Sequence, residues 1–185
     1  MLRVLVALPA LLLMLASAPS QASIRSLPTP VHKQLKDGGF WHKGCPVARS
    51  DLRLLTVSHW NFGGHKTTGQ LIVNKTVAPA LERVFRQLYK LHFPIHHMRL
   101  ADVYGPVGDS PRDGDVSGSF ECRQAVPSPC PGAGGPRSWS NHAYGLAVDL
   151  NPVENPYVAV ARPATPGPGP SAIARATGAE WSPDE

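Results

Sequence analysis

The strongest functional pattern in this chain lies in the stretch Ser138-Trp-Ser-Asn-His-Ala-Tyr-Gly-Leu-Ala-Val-Asp-Leu-Asn-Pro152. It places His142 seven residues before Asp149, with a glycine and a short apolar run between them. Neutral imidazole and carboxylate are ordinary zinc ligands, and a catalytic zinc site usually has three protein ligands and one position open to water. The stretch therefore predicts two metal ligands that face one cleft.

The residues between the two ligands favour this geometry. Gly145 can adopt a backbone conformation that is closed to other residues. Leu146–Leu150 is typical of a short buried strand, which Asn151-Pro152 would end. A histidine and an aspartate at one spacing more often belong to unrelated surface groups, so the pair needs the support of the whole pattern.

The whole pattern, His-x-x-Gly-x-Ala-x-Asp from His142 to Asp149, resembles the zinc-binding signature of the D-alanyl-D-alanine carboxypeptidases and L-alanyl-D-glutamate endopeptidases. The resemblance extends upstream through four segments: Gly44–Val47, Asp51–Trp60, Phe93–Ile95 and Arg99–Gly105. It implies the hedgehog/DD-peptidase fold and zinc-dependent hydrolysis of the stem peptides of bacterial peptidoglycan. His142 and Asp149 are the implied zinc ligands, and the stem peptide is the implied partner.

The resemblance also implies roles for the segment Ser117–Arg123, which precedes the metal motif. Arg123 is the candidate for stabilising the developing oxyanion, and the alternative is a solvated surface cation. Ser117 and Ser119 are candidates for binding substrate. Tyr144 is a further candidate for lining the cleft, although an aromatic residue at this place is more often part of the packing.

In the resembling family, a later segment supplies the catalytic carboxylate and the third zinc ligand. His142 is the last histidine of this sequence. We therefore expect a fold that is incomplete at the C-terminus, an incomplete zinc site and little or no hydrolysis. The alternatives are an exported cell-wall-binding module without catalysis and the product of an interrupted gene.

Residues 1–22 predict a secretory signal peptide, because Arg3 precedes a short apolar run and a small-x-small cleavage site. The remaining chain predicts no membrane span. Removing Arg3 lowers the formal net charge from +5 to +4, which suits an anionic cell wall and lacks the dense basic clusters of nucleic-acid binders. We expect a monomer that is secreted or associated with the cell wall.

The sequence contains three cysteines: Cys45, Cys122 and Cys130. Export permits a disulfide, and the preferred pairing is Cys45 with Cys122, which would tie the N-terminal region to the loop before the metal motif. The alternative pairing of Cys122 with Cys130 would close only a local loop. A zinc site built from cysteines is disfavoured because no Cys-x-x-Cys spacing occurs.

The remaining pattern predicts an α+β domain over residues 44–158, with a small antiparallel sheet and a packed helix. Leu52, Leu54 and Val57 indicate one strand, which is followed by a turn at Asn61–Gly64. A second strand is indicated over Ile95–Asp102. Apolar residues at helical spacing predict a helix over Val77–Leu91. Asn74 or Thr76 is expected to cap this helix, and Pro79 is tolerated in its first turn.

Several other regions carry weaker signals. Residues 23–43 form a lead-in segment with little periodicity, and Gly105–Arg137 predicts a long surface loop. Residues 159–185, rich in Pro, Ala and Gly, predict a disordered tail. Alternation along a strand would place neighbouring histidines on opposite faces. We therefore expect His92, His96 and His97 to be surface or hydrogen-bonded groups. His59 and His65, beside turns, are expected to be the same, with substrate contact as the alternative for His65.

Overall fold

A computed structural model of the chain describes residues 22–106, 108, 110–125 and 139–156, together with the backbone of residues 158–160 and 173–175. The predicted α+β fold is confirmed. Strands β1 (Ala22–Ser26), β2 (Leu52–Trp60) and β3 (Lys66–Asn74) form an antiparallel sheet in that order. The helices are α1 (Thr29–Asp37), α2 (Ala78–Lys90) and α3 (Leu100–Tyr104), with 3-10 turns at Arg49–Asp51 and Asn141–Tyr144.

The central strand β2 is covered on both faces, so consecutive side chains enter two different cores. Leu54 packs with Ile72 and Phe120 on the face that carries α1 and α3. Its neighbour Leu55 packs with Phe85 of α2 on the opposite face. The buried residues of β2 accordingly change face between Leu54 and Leu55.

A tight turn joins β2 to β3, as the sequence predicted. Gly64 has a φ of 73°, a left-handed conformation that glycine adopts without steric cost. The side-chain oxygen of Asn61 accepts a hydrogen bond from the backbone N–H of His65 at 2.9 Å. This bond closes the turn, and in the resulting register of β2 and β3 Trp60 lies opposite Lys66.

Helix α2 confirms the predicted helix, but the prediction of its cap is wrong. Val77 precedes the first helical residue, and no side-chain hydrogen bond caps the helix there. The oxygen of Asn74 instead accepts from the N–H and hydroxyl of Thr76 at 3.0 and 2.9 Å. The chain makes a separate turn at this point, with the Val77 N–H bonded to the Asn74 carbonyl, so the helix begins later than the polar residues suggested. Pro79 lies in the first turn.

The strand predicted over Ile95–Asp102 is wrong: residues 95–99 make only an isolated bridge, at His97, and α3 begins at Leu100. The carboxylate of Asp102 accepts a hydrogen bond from the backbone N–H of Arg99 at 3.0 Å and pairs with the Arg99 guanidinium. A carboxylate at the third helical position that caps the first turn stabilises a helix start. That signal outweighs the apolar alternation of this segment.

The lead-in segment contains more structure than its sequence indicated. Strand β1 pairs with β2 over Ala22–Ser26, and α1 buries Leu35 completely. Leu35 is the only fully buried residue of α1, and Val31, one turn before it, is partly buried against the same core, so the apolar stripe of the helix is short. Its position is decided by packing against the sheet.

The expected surface loop over Gly105–Arg137 is wrong for its middle part. Residues 115–122 pass through the interior, where Ser117 and Phe120 have no exposed surface. Its polar side chains are accommodated because they bond to the backbone of distant segments. For example, the Ser117 hydroxyl accepts a hydrogen bond from the Asn151 N–H at 3.0 Å. Buried polar groups are tolerated when each has such a partner.

The expected disordered tail lies mostly outside the described residues. What is described there is a two-stranded antiparallel pair formed by β4 (Val158–Val160) and β5 (Ile173–Arg175). The predicted signal peptide also lies outside them, apart from Ala22. No helix in the described part of the chain has the length and apolar composition needed to cross a bilayer.

A disulfide joins Cys45 to Cys122, which confirms the preferred pairing. The two Cα atoms lie 5.8 Å apart and the residues are 77 positions apart in sequence. The bond ties the loop after α1 to the end of the buried segment 115–122. Cys130 lies outside the described residues.

We predict that replacing both bonded cysteines, Cys45→Ser with Cys122→Ser, lowers the free energy of unfolding by about 2–4 kcal/mol, because a long loop of the unfolded chain is released. Urea denaturation of the oxidised proteins measures this loss. Cys130→Ser is the control and should leave the midpoint unchanged. A wild-type midpoint that is insensitive to a reducing agent would contradict the stabilising role of the disulfide.

Candidate functional site

The 3-10 turn Asn141–Tyr144 presents His142. Ser140 begins the turn, and its hydroxyl oxygen accepts a hydrogen bond from the His142 N–H at 3.3 Å. Gly145 ends it with a φ of 67°, and its N–H donates to the His142 carbonyl at 2.9 Å. The predicted special conformation of Gly145 is therefore confirmed.

Close packing imposes a second requirement on Gly145. A Cβ atom at this position would lie 2.8 Å from the backbone nitrogen of Asn74 and 3.2 Å from Leu52 Cδ2. The Gly145 carbonyl accepts a hydrogen bond from the Asn74 N–H at 2.9 Å. The turn that carries His142 is thus pressed directly against the end of β3.

The short buried strand predicted over Leu146–Leu150 is wrong in extent. Pairing is limited to one bridge, in which Gly118 and Asp149 exchange two backbone hydrogen bonds of 3.0 and 2.9 Å. Leu146 is 48% exposed. The positive φ of Asn151 turns the chain away, as the sequence indicated, so no longer ladder forms.

The structure brings the two predicted metal ligands together. His142 Nε2 lies 3.3 Å from Asp149 Oδ2, and the His142 side chain is 12% exposed against 60% for Asp149. His142 Nδ1 lies 2.6 Å from the carbonyl oxygen of Ser119. A carbonyl only accepts hydrogen bonds, so Nδ1 carries the proton and Nε2 is directed towards Asp149.

The geometry of this pair fits a zinc ion. Two ligand bonds of about 2.0–2.1 Å at a tetrahedral angle separate the ligand atoms by about 3.3 Å, the distance found between His142 and Asp149. The Ser119 carbonyl supplies the hydrogen bond that commonly orients a metal-binding histidine. Among the described residues, no third metal-ligand side chain lies close enough to His142 and Asp149 to form a group of three with them.

The electrostatics of the pair are those of a charged couple when no metal is bound. The hydrogen bond with Asp149 raises the pKa of His142 above its ordinary value, against the opposing effect of burial. The same hydrogen bond holds the pKa of Asp149 below its ordinary value, again against burial. A metal ion bound here replaces the proton on Nε2.

A cavity of about 370 Å³ opens beside the pair. Its polar lining includes His142, Asp149, Ser119, Glu121 and Asp102. The Asp102 carboxylate is engaged by Arg99, whereas Glu121 is exposed. The cavity has the mixed polar and apolar lining typical of ligand sites.

Arg123 lies near the pair without lining the cavity. Its Nε donates to the Glu121 carboxylate at 2.8 Å. The hydrogen bond between His142 and Asp149 dominates their pKa shifts, and the positive charge of Arg123 makes the smallest contribution: it opposes the rise in the pKa of His142 and adds to the fall in the pKa of Asp149.

The three predicted substrate-binding residues, Ser117, Ser119 and Tyr144, lie in different places relative to the cavity. The Ser119 hydroxyl donates to the Ala147 carbonyl at 2.6 Å, and Ser119 lines the cavity. Ser117 is fully buried and supports Asn151. Tyr144 is half-buried, and its carbonyl accepts from the Asn74 side chain at 3.0 Å.

Sequence reasoning missed Glu121 and Phe40, which also lines the cavity. Glu121 had a usable signal, because it lies two residues before Arg123, the spacing at which extended side chains share a face. Phe40 had none, because the lead-in segment reaches the cavity through tertiary packing.

We predict that Gly145→Ala lowers the free energy of unfolding by about 2–4 kcal/mol, because a left-handed residue and a steric clash both add cost. Gly64→Ala is the matched control, since Gly64 also has a positive φ but no atom near its Cβ position. That control should lose about 1–2 kcal/mol. Equal losses in urea denaturation would show that the contact with Asn74 is unimportant.

We predict a pH-dependent contribution of the His142–Asp149 pair to stability in the metal-free protein. The raised pKa of His142 gives stabilisation that is complete below about pH 6.5 and is lost as the pH rises through the folded-state pKa. The lowered pKa of Asp149 gives stabilisation that is present above about pH 4 and is lost as the pH falls. Asp149→Asn should therefore cost more stability at pH 5.5 than at pH 9 in the presence of a chelator. Equal costs at both values would contradict the coupling.

The comparisons with known proteins concern the same region. A family model described as D-alanyl-D-alanine carboxypeptidase matches residues 133–184. No curated protein and no solved structure gives a significant match. The upstream segments quoted above, from Gly44 to Gly105, lie outside the matched residues. The match confirms the resemblance of this chain to the zinc D-alanyl-D-alanine carboxypeptidase family, and the matched segment includes both His142 and Asp149.

Proposed function

We propose that this protein is a zinc metallopeptidase-like protein that acts on peptidoglycan stem peptides, of the D-Ala-D-Ala carboxypeptidase or endopeptidase type, and that its hydrolysis is slow or absent because the described residues supply only His142 and Asp149 as zinc ligands. The observation that carries the proposal is the 3.3 Å separation of His142 Nε2 and Asp149 Oδ2 on the wall of a cavity. Peptidase-like function follows at the level of the family. The metal, the substrate class and the cleavage reaction are our proposals.

Zinc bound by His142 and Asp149 would polarise the scissile carbonyl and lower the pKa of a water molecule. The chain contributes the orientation of these ligands. The Ser119 carbonyl fixes the His142 ring through Nδ1, and the bridge between Gly118 and Asp149 fixes the backbone of the second ligand. Rigid ligands of this kind cost little reorganisation during the reaction.

Arg123 is proposed to stabilise negative charge that develops on the substrate carbonyl oxygen. Its cationic head is held by Glu121 beside the cavity, close enough to affect both proposed ligands. Ser119 is the best-supported substrate contact, because its hydroxyl donates to Ala147 and retains acceptor capacity towards the cavity. Ser117 and Tyr144 would act through the backbone that they hold.

We also propose that the protein acts outside the cytoplasm. The predicted signal peptide and the net charge of +4 without Arg3 suit an anionic cell wall. The disulfide between Cys45 and Cys122 suits an oxidising compartment.

A non-catalytic cell-wall-binding module is the second candidate. The observation in its favour is that the described residues provide only His142 and Asp149 at the proposed zinc position. Catalytic zinc usually has three protein ligands. A groove with two ligands would bind the stem peptide more readily than it would cleave it.

One experiment separates these candidates: zinc titration followed by an assay of purified muropeptides. An enzyme should bind zinc and release a cleaved peptide, and His142→Ala or Asp149→Asn should lower both by at least about 100-fold. Arg123→Ala should lower turnover by roughly 100-fold and leave zinc binding intact. His65→Gln, an exposed histidine in a turn, is the control.

The alternative outcomes are distinct. Muropeptide binding without cleavage at saturating zinc would support the binding module. The absence of both binding and cleavage would contradict the peptidoglycan proposal altogether.

A further inference from the structure

A second group of metal-ligand side chains lies away from the His142–Asp149 pair. We call His96, His97 and Asp113 the His-His-Asp cluster. His97 Nε2 lies 2.9 Å from Asp113 Oδ2, and His96 Nδ1 lies 3.7 Å from the same oxygen. One ligand atom from each residue falls within 4.8 Å of the others.

The two adjacent histidines point to the same side, which corrects the expectation from strand alternation. Their rings stack with centroids 3.9 Å apart and planes 24° apart. The reason is that this segment forms isolated bridges instead of a regular strand, at Pro94 with Trp60 and at His97 with Val116. His92 is separate, with its ring against Trp60.

The cluster is held from several directions. The ring of Phe62 stacks on His96 with centroids 4.7 Å apart and planes 9° apart. The His97 carbonyl accepts from the Ser117 N–H at 2.8 Å. The His96 N–H donates to the Asn151 side chain at 3.2 Å. Imidazoles fixed in this way lose little freedom on binding a ligand.

A buried carboxylate adds negative charge at the same place. Asp115 is 2% exposed, and its Oδ2 lies 3.1 Å from His96 Nδ1. Its other oxygen accepts from the Val153 N–H at 3.3 Å. The cluster therefore has one exposed carboxylate of its own, Asp113, and a buried carboxylate beside it, Asp115, and their negative charge favours a cation.

We propose that the His-His-Asp cluster binds a divalent transition-metal ion of the Zn²⁺ type, with the buried carboxylate of Asp115 supplying further negative charge beside the ion. Imidazole nitrogen with carboxylate oxygen is a donor set that suits zinc and its neighbours. The separations of 2.9 and 3.7 Å from Asp113 Oδ2 lie on either side of the roughly 3.3 Å expected between tetrahedral zinc ligands.

A metal ion bound at the cluster would have a structural role. The metal would join the segment after α2 to residues 113–116, and Gly114 and Val116 of that loop line the cavity beside His142. An ion at the cluster would brace this wall of the cavity without touching the substrate. Binding of an ion at the cluster does not require the proposed peptidase activity.

The test uses the full chain in a His142→Ala background, which removes the first pair of ligands. Zn²⁺ alone is titrated by calorimetry, and the melting temperature is followed with and without Zn²⁺. We expect the background protein to bind one equivalent of Zn²⁺ and to melt at a higher temperature with it, because the ion binds the folded state. Adding His97→Gln should weaken binding by about 10–100-fold or more and remove the thermal shift.

Asp113→Asn provides a second variant at an exposed position, in case His97→Gln disturbs folding, which circular dichroism reports. His65→Gln in the same background is the control and should retain the bound ion. No binding of Zn²⁺ by the background protein at about 1 mM, which would put its binding free energy above −4.1 kcal/mol, would overturn the proposal. Binding that persists unchanged in both the His97→Gln and Asp113→Asn variants would also overturn it.

Discussion

The structure depends on the backbone hydrogen bonds that residues 115–122 make with distant segments where they cross the interior. The Phe120 N–H donates to the Ile72 carbonyl of β3 at 3.2 Å, and Gly118 exchanges two bonds with Asp149. An unpaired polar group buried here would cost free energy comparable to a lost hydrogen bond. Satisfying these groups fixes the segment between the sheet and the metal motif, and the disulfide at Cys122 secures its end.

The same buried segment positions both groups of metal-ligand side chains. Near its end, the Ser119 carbonyl orients His142. At its beginning, Asp115 lies beside His96, and the Ser117 N–H holds the His97 carbonyl. The two groups are therefore supported by one rigid piece of backbone, although they share no ligand. A substitution that displaces this segment would disturb both of them.

Protons and metal ions compete at the His142–Asp149 pair. Without a metal, the raised pKa of His142 and the lowered pKa of Asp149 describe an ion pair that holds a proton between the two side chains. Metal ligands must be deprotonated, so binding releases that proton. The nearby Arg123 opposes this proton through its charge, which gives it an electrostatic role even without substrate contact.

The features that rest on local chemistry could be predicted from the amino-acid sequence alone. The α+β class, helix α2, the turn at Asn61–Gly64 and the conformation of Gly145 each follow from periodicity or from a residue with special backbone freedom. The pairing of His142 with Asp149 was predictable because both ligands lie in one short pattern. The Cys45–Cys122 disulfide was the preferred pairing among the few combinations available.

The remaining features depend on how distant segments pack together. Helix α1 and strand β1 have weak patterns and gain their stability from packing on the sheet. Residues 115–122 looked like a surface loop because polar composition does not reveal partners that are distant in sequence. His96 and His97 share a side because the chain there makes only isolated bridges, so the alternation of a regular strand does not apply. Each of these features depends on contacts between segments far apart in the chain, and local sequence patterns do not specify such contacts.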